Sequence, residues 1–173
     1  MKKVIYGESM DSEFETAYNC IIMHHYHEAY NRFKKLYCNE QDNSYYLTAC
    51  IVSLLLKGNI DALLEFIEKD SVRYKHSELI EIIFNRIGFH KLSIATSSKK
   101  TSDIFNILIS CFKAIRQTKF DKHSYIFLRT AQVLKPNDYN LLRYLSELSF
   151  KNGSLEKGCS LLVKAAKAWS GKD

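Results

Sequence analysis

Three histidines, His24, His25 and His27, crowd one short stretch of the chain, and imidazole nitrogens are common zinc ligands. A zinc site needs three or four nitrogen, sulfur or carboxylate groups converging on one point. Here neighbouring side chains diverge from a stretch that reads as a turn, and no second Cys or His group stands at ligand spacing. The expectation is a solvated turn, with no metal and no cofactor. His76, His90 and His123 stand alone. The five cysteines, Cys20, Cys38, Cys50, Cys111 and Cys159, form no CxxC pair. An odd, scattered set implies a reducing compartment rather than a disulfide framework, with most of the five as small core fillers. The chain also lacks a glycine-rich phosphate loop, a GxSxG and an HExxH, and its carboxylates scatter over faces expected to meet solvent. No catalytic residue is assigned, and the protein reads as a non-enzyme.

Charge is the more informative chemistry. The net +6 is unevenly spread: residues 1–85 carry −4, residues 86–135 carry +8 and residues 136–173 carry +2. In the basic segment, Lys99, Lys100, Lys113, Arg116, Lys119 and Lys122 could meet phosphates, since such contacts dominate nucleic-acid affinity. The chain has no helix-turn-helix recognition signature or zinc pattern, so an acidic protein surface is the preferred partner and nucleic acid the alternative.

These groups must be positioned by helices. With 173 residues, 46% of them hydrophobic, one proline and six glycines, the chain has the makings of one all-α domain over 1–173. The longest apolar run, Ala49 to Leu56, is too short to cross a bilayer. The opening MKKVIYGESMDSE has no apolar run behind its lysines, so no secretory signal is expected. A soluble cytoplasmic protein follows.

Apolar residues at helical spacing mark Phe14–Ile22, with Ser12 and Glu15 as a capping box, and Tyr26–Leu36 after the histidine turn. Further helices are read over Tyr45–Leu56, Asp61–Lys69 and Ser77–Arg86, the last stopping near Gly88. The run KLSIATSSKKTS, 91–102, has the composition of a loop, with Asp103 capping a helix over Ile104–Gln117. Three more follow at His123–Leu134, Asp138–Lys151 and Leu155–Trp169, giving about eight or nine in all.

Pro136, Gly153 and the small residues around them resemble the tetratricopeptide repeat, a helix-turn-helix unit of 34 residues. With Pro136 at pattern position 32, one unit spans 105–138 and the next 139–172, in one phase. The second has Leu142, Leu145, Ser146, Gly153, Gly158, Leu162 and Ala165 at positions 4, 7, 8, 15, 20, 24 and 27. Units 10–43 and 44–77 share a second phase, with Ala17, Ala29 and Phe33 in the first and Leu47, Cys50 and Gly58 in the second. A degenerate segment, 78–104, separates the pairs. Phe112 departs from the pattern by standing where a small residue is expected.

The resemblance implies a short α-solenoid of antiparallel helix pairs whose first helices line a groove. It assigns Phe14, Tyr18, Ile21 and Ile22 to that groove in the first unit, and Tyr45, Thr48, Val52, Leu55 and Leu56 in the second. The third unit contributes Asn106, Lys113, Arg116 and Gln117, and the fourth Asn140, Arg143, Glu147 and Lys151. The implied function is that of an adaptor or chaperone holding a partner segment with hydrophobic and acidic residues. The family's carboxylate clamp is absent, because Phe14 and Tyr18 stand where it needs Lys and Asn. The size is similar to that of small bacterial secretion chaperones. An oligomer built through the aromatic N-terminal half is a third arrangement. Trp169, the single tryptophan, is expected to cover the last apolar face, the alternative being an exposed anchor.

Overall fold

Local sequence signals set the helix ends in the computed structural model, which describes residues 12–69, 75–96 and 100–170. Helices α1 (Ser12–Ile22) and α2 (Tyr26–Asn39) are joined by a turn in which His24 adopts a left-handed backbone, φ 62°. The Asn43 side chain accepts from the Tyr45 and Tyr46 amides to start α3 (Ser44–Lys57), and Gly58, at φ 68°, ends it. Asn59 caps α4 (Ile60–Glu68) by accepting from the Ala62 amide. Then come α5 (Ser77–Thr96), α6 (Lys100–Ile115) and α7 (Asp121–Leu134). Asp138 accepts from the Leu141 amide to cap α8 (Tyr139–Lys151), and Gly153, at φ 74°, turns the chain into α9 (Leu155–Ser170).

Two expectations are corrected. Residues 91–96, read as loop, belong to α5, which runs through Gly88, and α6 begins at Lys100 rather than at Ile104. A single interior glycine costs a helix only about 1 kcal/mol, and Ser and Thr disfavour it less. Without a proline nothing in this run forces a stop. Asp103 therefore lies inside α6 instead of capping it. Helix α7 likewise begins at Asp121, two residues before His123.

The helices are packed in neighbouring pairs, α1 on α2, α2 on α3, α5 on α6, α6 on α7 and α8 on α9, an all-α arrangement compatible with a helical repeat. The small residues expected at close helix contacts, Ala17, Ala29, Ser146 and Ala165, are buried, as are Ser124 and Ala131 on α7. At the last pair, Ser146 Oγ donates to the Gly158 carbonyl at 2.9 Å. A Cβ on Gly158 would fall within 2.8 Å of three Phe150 ring carbons.

The centre of the core is α3. Its sequence, SYYLTACIVSLLLK, is apolar on every side, and a helix of that kind has to be covered all round. Every residue from Tyr46 to Leu56 is buried. Its cover comes from α2 and α4 and, from far along the chain, from α6 and α7, while α7 also packs on α1. Thr48, Val52, Leu55 and Leu56 are thus core residues and not groove walls. Among the described residues no helix is long and apolar enough to cross a membrane.

Candidate functional site

Two clusters of polar chemistry emerge from this packing. The first is the seam where α7 lies on α1 and α3. The Arg129 guanidinium reaches both carboxylate oxygens of Glu15, at 3.3 and 3.4 Å, and its Cζ lies 3.9 Å from the centre of the Tyr18 ring. Ser44 Oγ and His123 Nε2 are 2.8 Å apart, and His123 Nδ1 is 3.1 Å from the Phe120 carbonyl. With the proton on Nδ1, the ring donates to Phe120 and accepts from Ser44. Burial depresses the His123 pKa below its ordinary value and pushes the Tyr45 hydroxyl up to about 12.

The seam decides the fate of the aromatic groove positions. Phe14 and Tyr18 are buried, at 2% and 1% exposure, and Tyr45 is half-buried with its ring 5.8 Å from that of His123. Phe14 stacks among Phe33, Tyr45 and Tyr46. These side chains are closed to a partner as the chain stands, because α7 covers α1 and α3. Ile21 is buried too, while Ile22 is exposed.

The second cluster is open to solvent. Helix α6 buries Ile104, Leu108, Cys111, Phe112 and Ile115, which turns Asn106, Lys113 and Arg116 outward. Helix α8 buries Leu141, Leu142, Leu145 and Ser149, which turns Asn140, Arg143, Glu147 and Lys151 outward at spacings of three or four. The helices meet through Phe112 and Tyr144, whose ring centres are 5.1 Å apart. Three cations surround the Tyr144 ring: Arg143 at 5.5 Å, Lys113 at 5.7 Å and Arg116 at 5.8 Å. One carboxylate lies among them. Glu147 Oε2 is 3.6 Å from Arg116 Nη2, and its Oε1 is 3.7 Å from Arg143 Nε.

Lys113, Arg116 and Arg143, assigned to a groove from the repeat phase, are therefore brought together. Asn106 and Asn140 are exposed on the same two helices, N-terminal to the cations. Lys151 is drawn off to Asp121, at 2.9 Å. Tyr144 was missing from the sequence assignment. Its signal was Phe112: a large ring at a position meant for a small residue has to meet something on the next first helix.

The remaining chemistry is dispersed. Glu15 and Glu78, from the acidic part of the chain, pair with Arg129 and Lys119 from the basic part, so some of the charge asymmetry is used within the fold. Lys135 lies over the Phe105 ring at 4.6 Å. Lys99 and the side chains of Lys100 and His90 lie outside the described residues. His24 Nδ1 contacts the Tyr26 hydroxyl at 2.6 Å, whereas His27 faces Asn31 and Lys57. Among the described residues no group of three or more His, Cys, Asp or Glu side chains is arranged to hold a metal ion. Comparison with protein-family models, with curated proteins and with solved structures finds no match.

Proposed function

We propose that this chain is a non-enzymatic, tetratricopeptide-like interaction module, an adaptor or chaperone, that binds an acidic segment of a protein partner on the outer surface of α6 and α8. The observation that carries this reading is the placement of Glu147, an exposed carboxylate set between two guanidiniums beside an aromatic ring. The surface thereby displays, with a residue of its own, the group it would accept from a partner. Arginine suits the task because its planar fork matches a carboxylate and stacks on aromatic faces. Hydrophobic residues flanking the partner's acids would lie along the partly exposed Tyr144 ring, which Phe112 supports from below.

The +8 segment is the basis for a nucleic-acid alternative, but Lys119 and Arg129 are already paired with Glu78 and Glu15. The test is a titration of the full chain with a labelled peptide of alternating glutamate and leucine, beside a single-stranded oligonucleotide of equal charge. Reversing Arg116 and Arg143 to glutamate should weaken the peptide about tenfold or more, some 1.4 kcal/mol. Equal binding by the reversed variant, or preference for the oligonucleotide, would refute the proposal.

A further inference from the structure

The large apolar side chains left exposed among the described residues are concentrated on α9: Leu155, Leu162, Val163 and Trp169 are exposed by 68, 44, 56 and 61%. They are not scattered around the helix. Leu155, Cys159, Leu162, Ala166 and Trp169 recur at alternating spacings of four and three, and all five are exposed. That is the seam spacing of a coiled coil, carried over two heptads and about 21 Å of helix. A different face of α9, with Gly158, Leu161 and Ala165, is buried against the body of the protein. The helix therefore has one apolar face in use and one left exposed among the described residues, and at its end Trp169 meets the Tyr139 ring of α8, 4.9 Å away.

The charges beside this stripe select its occupant. Lys157 and Lys164 project from the opposite side of the helix, so no fringe of like charge recruits a strongly acidic or basic helix. Glu156, in the first turn, and Lys167, in the last, share one edge of the stripe, about three turns apart. A second α9 running antiparallel, with the two-fold axis beside Leu162, would set each Glu156 near Lys167 of the other copy. It would also bring Leu162 and Val163 onto their counterparts and Leu155 onto Trp169. A parallel copy would oppose Glu156 to Glu156 and Lys167 to Lys167.

We propose that α9 is a self-association surface, and that two copies of this chain pair through antiparallel α9 helices across Leu162. The contact is a strip one helix wide, well under the roughly 800 Å² per partner of a standard interface. The dimer is therefore weak and concentration-dependent. This surface is separate from the α6–α8 cluster and does not depend on it.

Sedimentation equilibrium of the full chain over a wide concentration range tests the pairing. The apparent mass should climb from 20.1 kDa toward twice that value. Leu162→Glu, at an exposed position, should hold it at the monomer with helix content unchanged. Lys167→Glu should weaken association about fivefold or more, at roughly 1 kcal/mol for a pair turned repulsive. Adding Glu156→Lys to Lys167→Glu should restore it, because the swap recreates both pairs only in the antiparallel arrangement. A mass fixed at 20.1 kDa for the unaltered chain would overturn the proposal, as would a dimer indifferent to Leu162→Glu or a charge swap without rescue.

Discussion

Arg129 and Glu15, 114 positions apart in sequence, meet through two nitrogens and two oxygens at 3.3 and 3.4 Å, with Tyr18 directly beneath the guanidinium. The contact fastens α7 to α1 and so closes the face that the repeat pattern reserves for a groove. Arg129→Ala should lower stability by about 1–2 kcal/mol in urea unfolding, combining a charge-assisted pair with a cation–π contact at a partly exposed site. Arg129→Lys should recover less than half of that, because an ammonium cannot span both oxygens and lie flat on the ring. A loss within about 0.5 kcal/mol for Arg129→Ala, the range of an ordinary surface change, would show that the pair does not fasten the seam.

In the same seam, the Tyr18 and Thr130 hydroxyls are buried near each other, too poorly aligned for a good hydrogen bond and with no other partner among the described residues. Burial raises the Tyr18 pKa well above its ordinary value, so the phenol stays neutral at any working pH. Tyr18→Phe keeps the ring that Arg129 covers and removes only the unpaired hydroxyl. Its stability should match that of the unaltered chain or exceed it by up to about 1 kcal/mol. A loss larger than about 1 kcal/mol would mean that the hydroxyl does find a partner in solution.

How far these relationships could be read in advance depends on how local they are. Asn59, Asp138, Gly58 and Gly153 each act within one turn of their own position, yet the periodicity alone starts two helices at Asp61 and Asp138, where the chain uses Asn59 and Asp138 as caps. The small residues at Ala29, Ser146 and Ala165 also announce close helix contacts, because only a small side chain tolerates them. Periodicity shows that Phe14 and Tyr18 lie on an apolar face. It cannot show whether that face lines a groove or lies under a helix that begins at Asp121. The cluster at Lys113, Arg116 and Arg143 was legible because it lies between helices related by one repeat. Tyr144 and the stripe on α9 were not singled out: one needed a partner ring from another helix, the other needed to be seen uncovered.

The same seam carries a pH dependence through His123. Its ring faces Ser44, Tyr45 and the Phe120 carbonyl, with His76 and Lys122 as nearby positive groups. Burial is the main cause of its lowered pKa; His76 and Lys122 add to it, and the Phe120 carbonyl opposes it. The folded state thus binds the proton more weakly than the unfolded chain, whose value is about 6.5. The stabilisation is fully present above that value and is lost as pH falls through the lower folded pKa. Urea midpoints should therefore be lower at pH 5.5 than at pH 7.5, and His123→Gln should flatten the part of the slope that lies below pH 6.5. If the variant keeps the full slope, the seam titrates elsewhere.

Glu147 gives the binding surface a property that a plain basic patch lacks. As long as its carboxylate sits between Arg116 and Arg143, an incoming acidic group has to displace it. The exposed pair is worth about 0.2–1 kcal/mol, so replacing it changes the stability of the fold little. Glu147→Gln leaves both arginines unoccupied and removes one negative charge from the approach of the ligand. The variant should bind the acidic peptide about two- to fivefold more tightly, with unfolding midpoints unchanged. The gain should shrink at high salt, since the charges involved face solvent. Lys151→Ala is the control, because Lys151 is held by Asp121 and lies outside the ring of cations around Tyr144. Tighter binding from Lys151→Ala, or none from Glu147→Gln while Arg116→Glu still weakens it, would mean that the internal carboxylate does not compete for the site. If neither Glu147→Gln nor Arg116→Glu alters peptide affinity, the α6–α8 surface is not where an acidic partner binds.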